Sequence, residues 1–144
     1  MIFVLDHCKS KDLTSLRYAF ELEIMKEIIN KNDPDARRQL EELILSIDQA
    51  ETTKELEKID LQFHSLISSL TDNPLLESLL ASIHTVYMKS IVLLNASYPS
   101  WNRFSMQRAR KYQKDIIQAL LSGNVSTVEK ALRRHYQYNF DADI

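Results

Sequence analysis

The chain of 144 residues carries 18 basic and 20 acidic side chains, for a net charge of −2, and is 44 % hydrophobic and 26 % charged. That length and composition suit one soluble domain with a sizeable core. The near-balance of charge, with only short basic runs such as RARKYQK, excludes a nucleic-acid-binding surface. One glycine and three prolines leave few of the breakers that strands and tight turns need, so an all-α protein is expected. The lone Cys8 has no disulfide partner and no metal-type spacing, which suits a reducing cytoplasm. The opening MIFVLDHCKS is too short in apolar residues for a signal peptide, and the most apolar region, LLESLLASIHTVYMKSIVLL, is broken by Glu77, His84 and Lys89, so no membrane span is expected.

About six helices can be read in chain order. The first, from about Lys11 to Asn30, places Leu13, Leu16, Phe20, Ile24 and Ile28 on one face with Arg17 and Glu21 beside them. NDPDA starts the second, with Asp33 as cap and Pro34 at the first helical position, and Ala36, Leu40, Leu43, Ile44 and Ile47 form its stripe. Thr52 or Thr53 caps the third, whose stripe is Leu56, Ile59, Phe63, Leu66, Ile67 and Leu70, and the Asn-Pro of TDNP ends it. The fourth, about Pro74 to Asn95, is apolar on most sides and is expected in the middle. NASYPSW is a loop. The fifth runs from near Ser100 to Ser122 with Met106, Ala109, Ile116, Ile117 and Leu120 inward, and Gly123 closes it as a left-handed cap. Asn124 caps the sixth, with Val128, Ala131, Leu132 and Tyr138 as its stripe. No internal repeat or interdomain linker occurs, so residues 1–144 are expected to form a single antiparallel helical bundle.

Polar groups interrupt these apolar faces. Asp60 and His64, four residues apart, point nearly the same way on the third helix and flank Ile59, Phe63 and Ile67. Gln113 lies in line with the stripe of the fifth helix, and His135 sits between Leu132 and Tyr138 on the sixth. Burying such groups without partners costs roughly 1 to 3 kcal/mol each. A divalent metal is one way to satisfy them, since a carboxylate and neutral imidazoles are suitable ligands. A local Asp–His ion pair and hydrogen bonds to backbone carbonyls are the other.

The residues also resemble a known family. IDLQFHSLISSLTDNPLL is similar to the D-x-x-F-H…N-P-L-L signature of the FadR C-terminal (FCD) domain, the effector-binding and dimerisation domain of GntR-type transcription regulators. DLTSLRYAFELE resembles its opening helix, with Arg17 followed four residues later by Glu21, and IIQALLSGNVSTVEKALRRH resembles its closing pair of helices. The likeness runs from about Lys11 to Asn139. It implies that Asp60, His64 and His135 match three ligands of the divalent ion, zinc or nickel, held by metal-binding members, while Gln113 stands at the position of the remaining histidine. An amide oxygen is a weaker ligand for zinc than imidazole, so the resemblance also allows Gln113 to bond the effector directly. Arg17, His84, Tyr87, Met88, Gln113 and Asn139 are the candidate ligand-binding residues, with Lys89 the one other basic residue in that half of the fourth helix.

The function expected on this resemblance is sensing of a small carboxylate or other small-molecule effector by a cytoplasmic homodimer. DNA would be contacted only through an N-terminal winged helix-turn-helix, which this chain does not show, so it is expected to be a separated or truncated effector domain. An enzyme is not expected and no catalytic residue is assigned: the Glu-x-x-His pairs of di-metal bundles, a nucleophile elbow and a Gly-rich phosphate loop are all absent from the sequence. The alternative is a helical interaction or scaffold bundle without a small ligand, its inward polar groups bonding one another.

Overall fold

A computed structural model of the protein describes residues 10–97 and 103–142, with side chains described over 12–86 and 106–135. Six helices account for these residues: α1 Ser10–Lys31, α2 Pro34–Gln49, α3 Thr53–Leu70, α4 Pro74–Ser97, α5 Arg103–Ser122 and α6 Val125–Ala142. No strand occurs among the described residues. The molecule is an all-α bundle.

The helix ends are set by short-range chemistry. Asp33 accepts from the Asp35 amide at the start of α2, where Pro34 loses nothing by lacking an N–H. Of the two threonines that could cap α3, Thr52 is used: its hydroxyl accepts from the Glu55 amide at 3.1 Å while Glu55 accepts from the Glu51 amide at 2.7 Å, a reciprocal variant of the capping box. Asn73 accepts from the Leu76 amide at 3.2 Å to open α4, and Asn124 accepts from the Thr127 amide at 3.1 Å to open α6. Gly123, with φ of +73°, closes α5 in the left-handed conformation that a side chain would oppose. The fifth helix is described from Arg103; its expected start near Ser100 lies outside the described residues.

The central element is α1, not α4. It packs against α6, α4, α3 and α5, whereas α4 is flanked by α1 and α3 and leaves Leu75 and Leu79 exposed. Its inward face is also rotated from the one the apolar residues suggest. Leu13, Thr14, Arg17, Glu21, Ile24, Met25 and Ile28 are buried, while Leu16 is 49 % exposed. Arg17 and Glu21, expected beside the stripe, form its middle, because they meet polar partners on α3.

Below this polar layer the core is continuous through Ile24, Met25, Leu40, Ile47, Leu56, Ile67, Leu80, Ile117 and Leu132. A clamp fixes α1 against the α3–α4 connection: Glu27 accepts from the Thr71 hydroxyl at 2.6 Å and the Asp72 amide at 2.8 Å. Lys31 pairs with Asp72 at 2.6 Å and donates to the Leu70 carbonyl at 3.1 Å. Those bonds hold the last turn of α3, and with it the helix that carries Asp60 and His64.

Leu132 is fully buried and Leu45 is 61 % exposed. Leu132→Ala is therefore expected to destabilise the fold by roughly 2 to 5 kcal/mol, through lost burial and the cavity left behind, and Leu45→Ala by less than about 0.5 kcal/mol. Urea denaturation midpoints at unchanged slope measure both; equal effects would mean that the core is not where these contacts put it.

Candidate functional site

A buried ionic cluster joins α1 to α3. Arg17 and Glu21 stand one turn apart on α1, and Asp60 and His64 one turn apart on α3, so each helix offers a pair of groups on one face. Arg17 Nε donates to Glu21 Oε1 at 3.0 Å, and its Nη2 contacts His64 Nε2 and lies 3.9 Å from Asp60 Oδ2. Glu21 Oε1 is 2.8 Å from His64 Nδ1, and Asp60 Oδ1 is 3.3 Å from His64 Nε2. Arg17 and Glu21 are each 1 % exposed, His64 5 % and Asp60 21 %. The guanidinium keeps its charge at any working pH, so the carboxylates and the imidazole around it are its required counterparts.

Two further histidines border the cluster. His84 of α4 packs its ring 4.7 Å from that of His64, tilted by 41°, and neither of its ring nitrogens has a hydrogen-bond partner among the described residues although both are shielded from water. His135 of α6 lies edge-on to Tyr112, ring centroids 6.4 Å apart. Gln113 of α5 donates its amide to the Leu56 carbonyl at 3.1 Å, one turn ahead of Asp60, and leaves its buried Oε1 with no partner.

The charges tune one another. Burial opposes ionisation of Asp60, but His64 and Arg17 outweigh it and hold the carboxyl well below its usual range. Burial and the Arg17 charge push His64 down, while Glu21 and Asp60 push it up more, so it ends raised. Burial, with Arg17 and His64 adding to it, lowers His84 to about 4, and burial with Arg17 lowers His135 to about 4.

The structure thus brings together Asp60 and His64, as the sequence spacing implied, and adds Arg17 and His84 to them. His135 feels the same cluster, the Arg17 charge lowering it and the Asp60 charge raising it. Tyr87, Met88 and Asn139 lie outside the residues whose side chains are described. Glu21 is the cluster residue absent from the candidate site read from the sequence; its signal was the four-residue spacing from Arg17.

The donor set does not fit the expected metal. Among the described residues no three His, Cys, Asp or Glu side chains stand together so as to hold an ion. The reason is visible in the cluster: His64 Nε2 and Asp60, the two expected ligands on α3, both face the Arg17 guanidinium, so a fixed positive charge covers the approach that a cation would need. At the position of the remaining family histidine, Gln113 commits its nitrogen to the backbone.

Two outcomes follow from this geometry. Protein purified without a polyhistidine tag and equilibrated with zinc is expected to retain far less than one equivalent by elemental mass spectrometry; near-stoichiometric metal that disappears in His64→Ala would contradict the Arg17-filled cluster. The second concerns pH. His84 and His135 stay neutral in the folded protein down to about 4, whereas each titrates near about 6.5 when unfolded. Between those values the unfolded chain binds more protons, so stability falls as pH drops. His64 has the opposite sign: its contribution is complete below its unfolded value and is lost as pH rises through the raised folded one. Replacing His135 by Gln should flatten the acid-side loss by up to about 1.4 kcal/mol per pH unit. Urea midpoints between pH 4.5 and 6.5, on the order of those two limits, read it directly, and an unchanged slope would mean that His135 is not neutralised by burial.

The comparisons with known proteins agree with the fold. No curated protein and no solved structure gives a match, but a family profile described as the FCD domain matches residues 12–138. FCD domains are the effector-binding domains of GntR-family transcription regulators. The match spans all six helices but for a few residues at either end and includes every residue of the ionic cluster, and on it the chain belongs to the FCD domain family.

Proposed function

We propose that the chain acts as the ligand-sensing unit of a GntR-type regulator, with the cluster of Arg17, Glu21, Asp60 and His64 as the floor of the effector site and His84 and Gln113 on its walls. The observation that carries this reading is a hydrogen-bonding deficit. His84 Nδ1 and Nε2 and Gln113 Oε1 are all buried and unpartnered, a state that costs roughly 1 to 3 kcal/mol per group. A small polar molecule seated between α3, α4 and α5 would satisfy these atoms. A scaffold bundle would instead gain by replacing them with apolar side chains.

The link to regulation is mechanical. The effector groups come from helices that pack on the central α1, so occupancy changes how α1, α3 and α4 sit against one another. In a homodimer with DNA-reading domains attached, a modest change of that kind alters the spacing of the two half-site readers, on which operator binding by helix-turn-helix dimers depends. Catalysis has no part in this reading, and the cluster offers no nucleophile paired with a base.

A thermal-shift screen of small polar metabolites tests it. A true effector at a hundred times its dissociation constant adds about 2.7 kcal/mol, which for a domain of this size raises Tm by several degrees, about 2 to 8 °C. The shift should fall by more than half in His84→Phe and in Gln113→Leu, both of which fill the wall without its polar atoms. Shifts that survive both substitutions would place the ligand elsewhere and defeat this reading.

A further inference from the structure

A cleft opens where the last turns of α1 and α5 meet the first turn of α2. It holds about 340 Å³. Arg17 and Ile28 are three turns apart on α1, roughly 16 Å along its axis, and the cleft shares no lining residue with the ionic cluster. Its floor is apolar: Ile28, Ala36, Leu40 and Leu120 line it and are each less than one-tenth exposed. An apolar cavity of about 150 Å³ accommodates one benzene ring, so this one has room for a branched or aromatic side chain and the atoms that carry it, within the range of small-ligand sites.

Two opposite charges stand on the rim of this floor. Asp33 and Arg37 are one turn apart at the start of α2, a spacing at which a carboxylate and a guanidinium commonly pair, and both line the cleft. Here they do not pair with each other. Asp33 accepts from the Asp35 amide at 3.3 Å as the cap of α2 and pairs with no cation among the described residues. Arg37 reaches over to α5 instead: its Nη1 donates to the Leu121 carbonyl at 3.1 Å, and its Nε lies 3.5 Å from Glu41, itself more than half exposed. A solvated contact of that length contributes little, and a guanidinium has further donors to offer. The cleft therefore sets an apolar floor between one carboxylate and one guanidinium.

We infer that this cleft is a second small-molecule site, separate from the proposed effector site, and that it takes a free α-amino acid with a large apolar side chain, of the leucine or phenylalanine class. Such a molecule is a zwitterion near neutral pH, with its ammonium and its carboxylate on one carbon. The ammonium meets Asp33, the carboxylate meets the Arg37 guanidinium in the two-pronged geometry that arginine favours, and the side chain covers Ile28, Ala36, Leu40 and Leu120. An apolar amine would answer Asp33 alone, and an apolar acid Arg37 alone. The pair of charges selects the molecule that carries both.

The test titrates the protein with leucine, with phenylalanine and with two probes that keep the leucine side chain but carry a single charge, 3-methylbutylamine and 4-methylpentanoate. The methyl NMR signals of Ile28, Ala36, Leu40 and Leu120 are followed together with the ring signals of His84. Leucine is expected to move the cleft methyl signals, to leave His84 still, and to bind at least about fivefold more tightly than either single-charge probe. Asp33→Asn keeps the cap, since asparagine serves equally well there, and is expected to bring leucine down to the level of 4-methylpentanoate. Arg37→Gln, at an exposed position of α2, is expected to bring it down to that of 3-methylbutylamine. Both substitutions leave the core untouched, and the circular dichroism spectrum and Tm of each variant show that it is folded. Single-charge probes that bind as tightly as leucine would overturn the zwitterion assignment, as would leucine binding that neither substitution weakens. Cleft signals that no probe moves even at millimolar concentration would rule the site out. Leucine that moves the His84 signal and leaves the cleft methyls unchanged would put it in the effector site, against this inference.

Discussion

A guanidinium buried to 1 % exposure is the constraint around which the bundle is arranged. Its charge cannot be removed by proton loss, and its burial is tolerable only with counter-charges at contact distance. Glu21 is supplied from the same helix. The remaining partners, Asp60 and His64, have to come from a neighbour, which obliges α3 to lie against the first half of α1 in one register. Sliding α3 by a single turn would leave Arg17 facing Ile67 or Leu56 in place of His64 or Asp60. The apolar contacts of Ile24, Ile59, Phe63 and Ile67 supply most of the driving force for packing, but they are tolerant of small shifts. The ion cluster is not, and it fixes the register.

Positions far from the cluster reinforce it. The clamp of Glu27 and Lys31 on Thr71, Asp72 and the Leu70 carbonyl secures the far end of α3 against α1. On the other side, Arg110 donates to the Ala50 carbonyl and Lys114 pairs with Asp48 at 2.6 Å, which secures α5 to the end of α2 just ahead of α3. The ends of the helices are thus tied by satisfied polar contacts, while unsatisfied atoms collect in the middle, on His84 and Gln113. Such a distribution suits a pre-formed site: the supporting framework is complete, and the groups left open are those that a ligand completes.

Much of the fold was legible because it is written in short-range patterns. Asp33, Asn73, Asn124 and Gly123 cap helices through residues two or three positions away, and the pairing of Asp60 with His64 needs only the pitch of α3. The orientation of α1 was not legible in this way. Its leucines point to a face containing Leu16, yet tertiary partners turn Arg17 and Glu21 inward, since a buried ion cluster outweighs the burial of one leucine. The apolar run of α4 points to a central place for that helix, yet Leu75 and Leu79 stay exposed, because only one side of it meets α1 and α3. Their place in the apolar stripes brought Asp60, His64, Gln113 and His135 to notice, and the resemblance set them around one metal. It carried no information on whether Arg17 would fill the space among them, because that depends on a rotamer and on a register, neither of which leaves a trace in spacing.

The resemblance puts Gln113 where metal-binding members carry a histidine, and the Arg17 guanidinium gives a physical reason for such an exchange. With a metal among them, the ligands at the positions of Asp60, His64, Gln113 and His135 would need lone pairs directed at one point. With Arg17 as the local cation, that demand vanishes for Gln113, which becomes free to anchor its nitrogen on the Leu56 carbonyl and present its oxygen inward. A site whose open groups are one amide oxygen and one neutral imidazole rejects a molecule lacking the matching hydroxyl or amide, because those buried atoms are then left unpaired. The internal salt cluster, in this view, holds α1 against α3 and so fixes the frame on which Gln113 and His84 are presented.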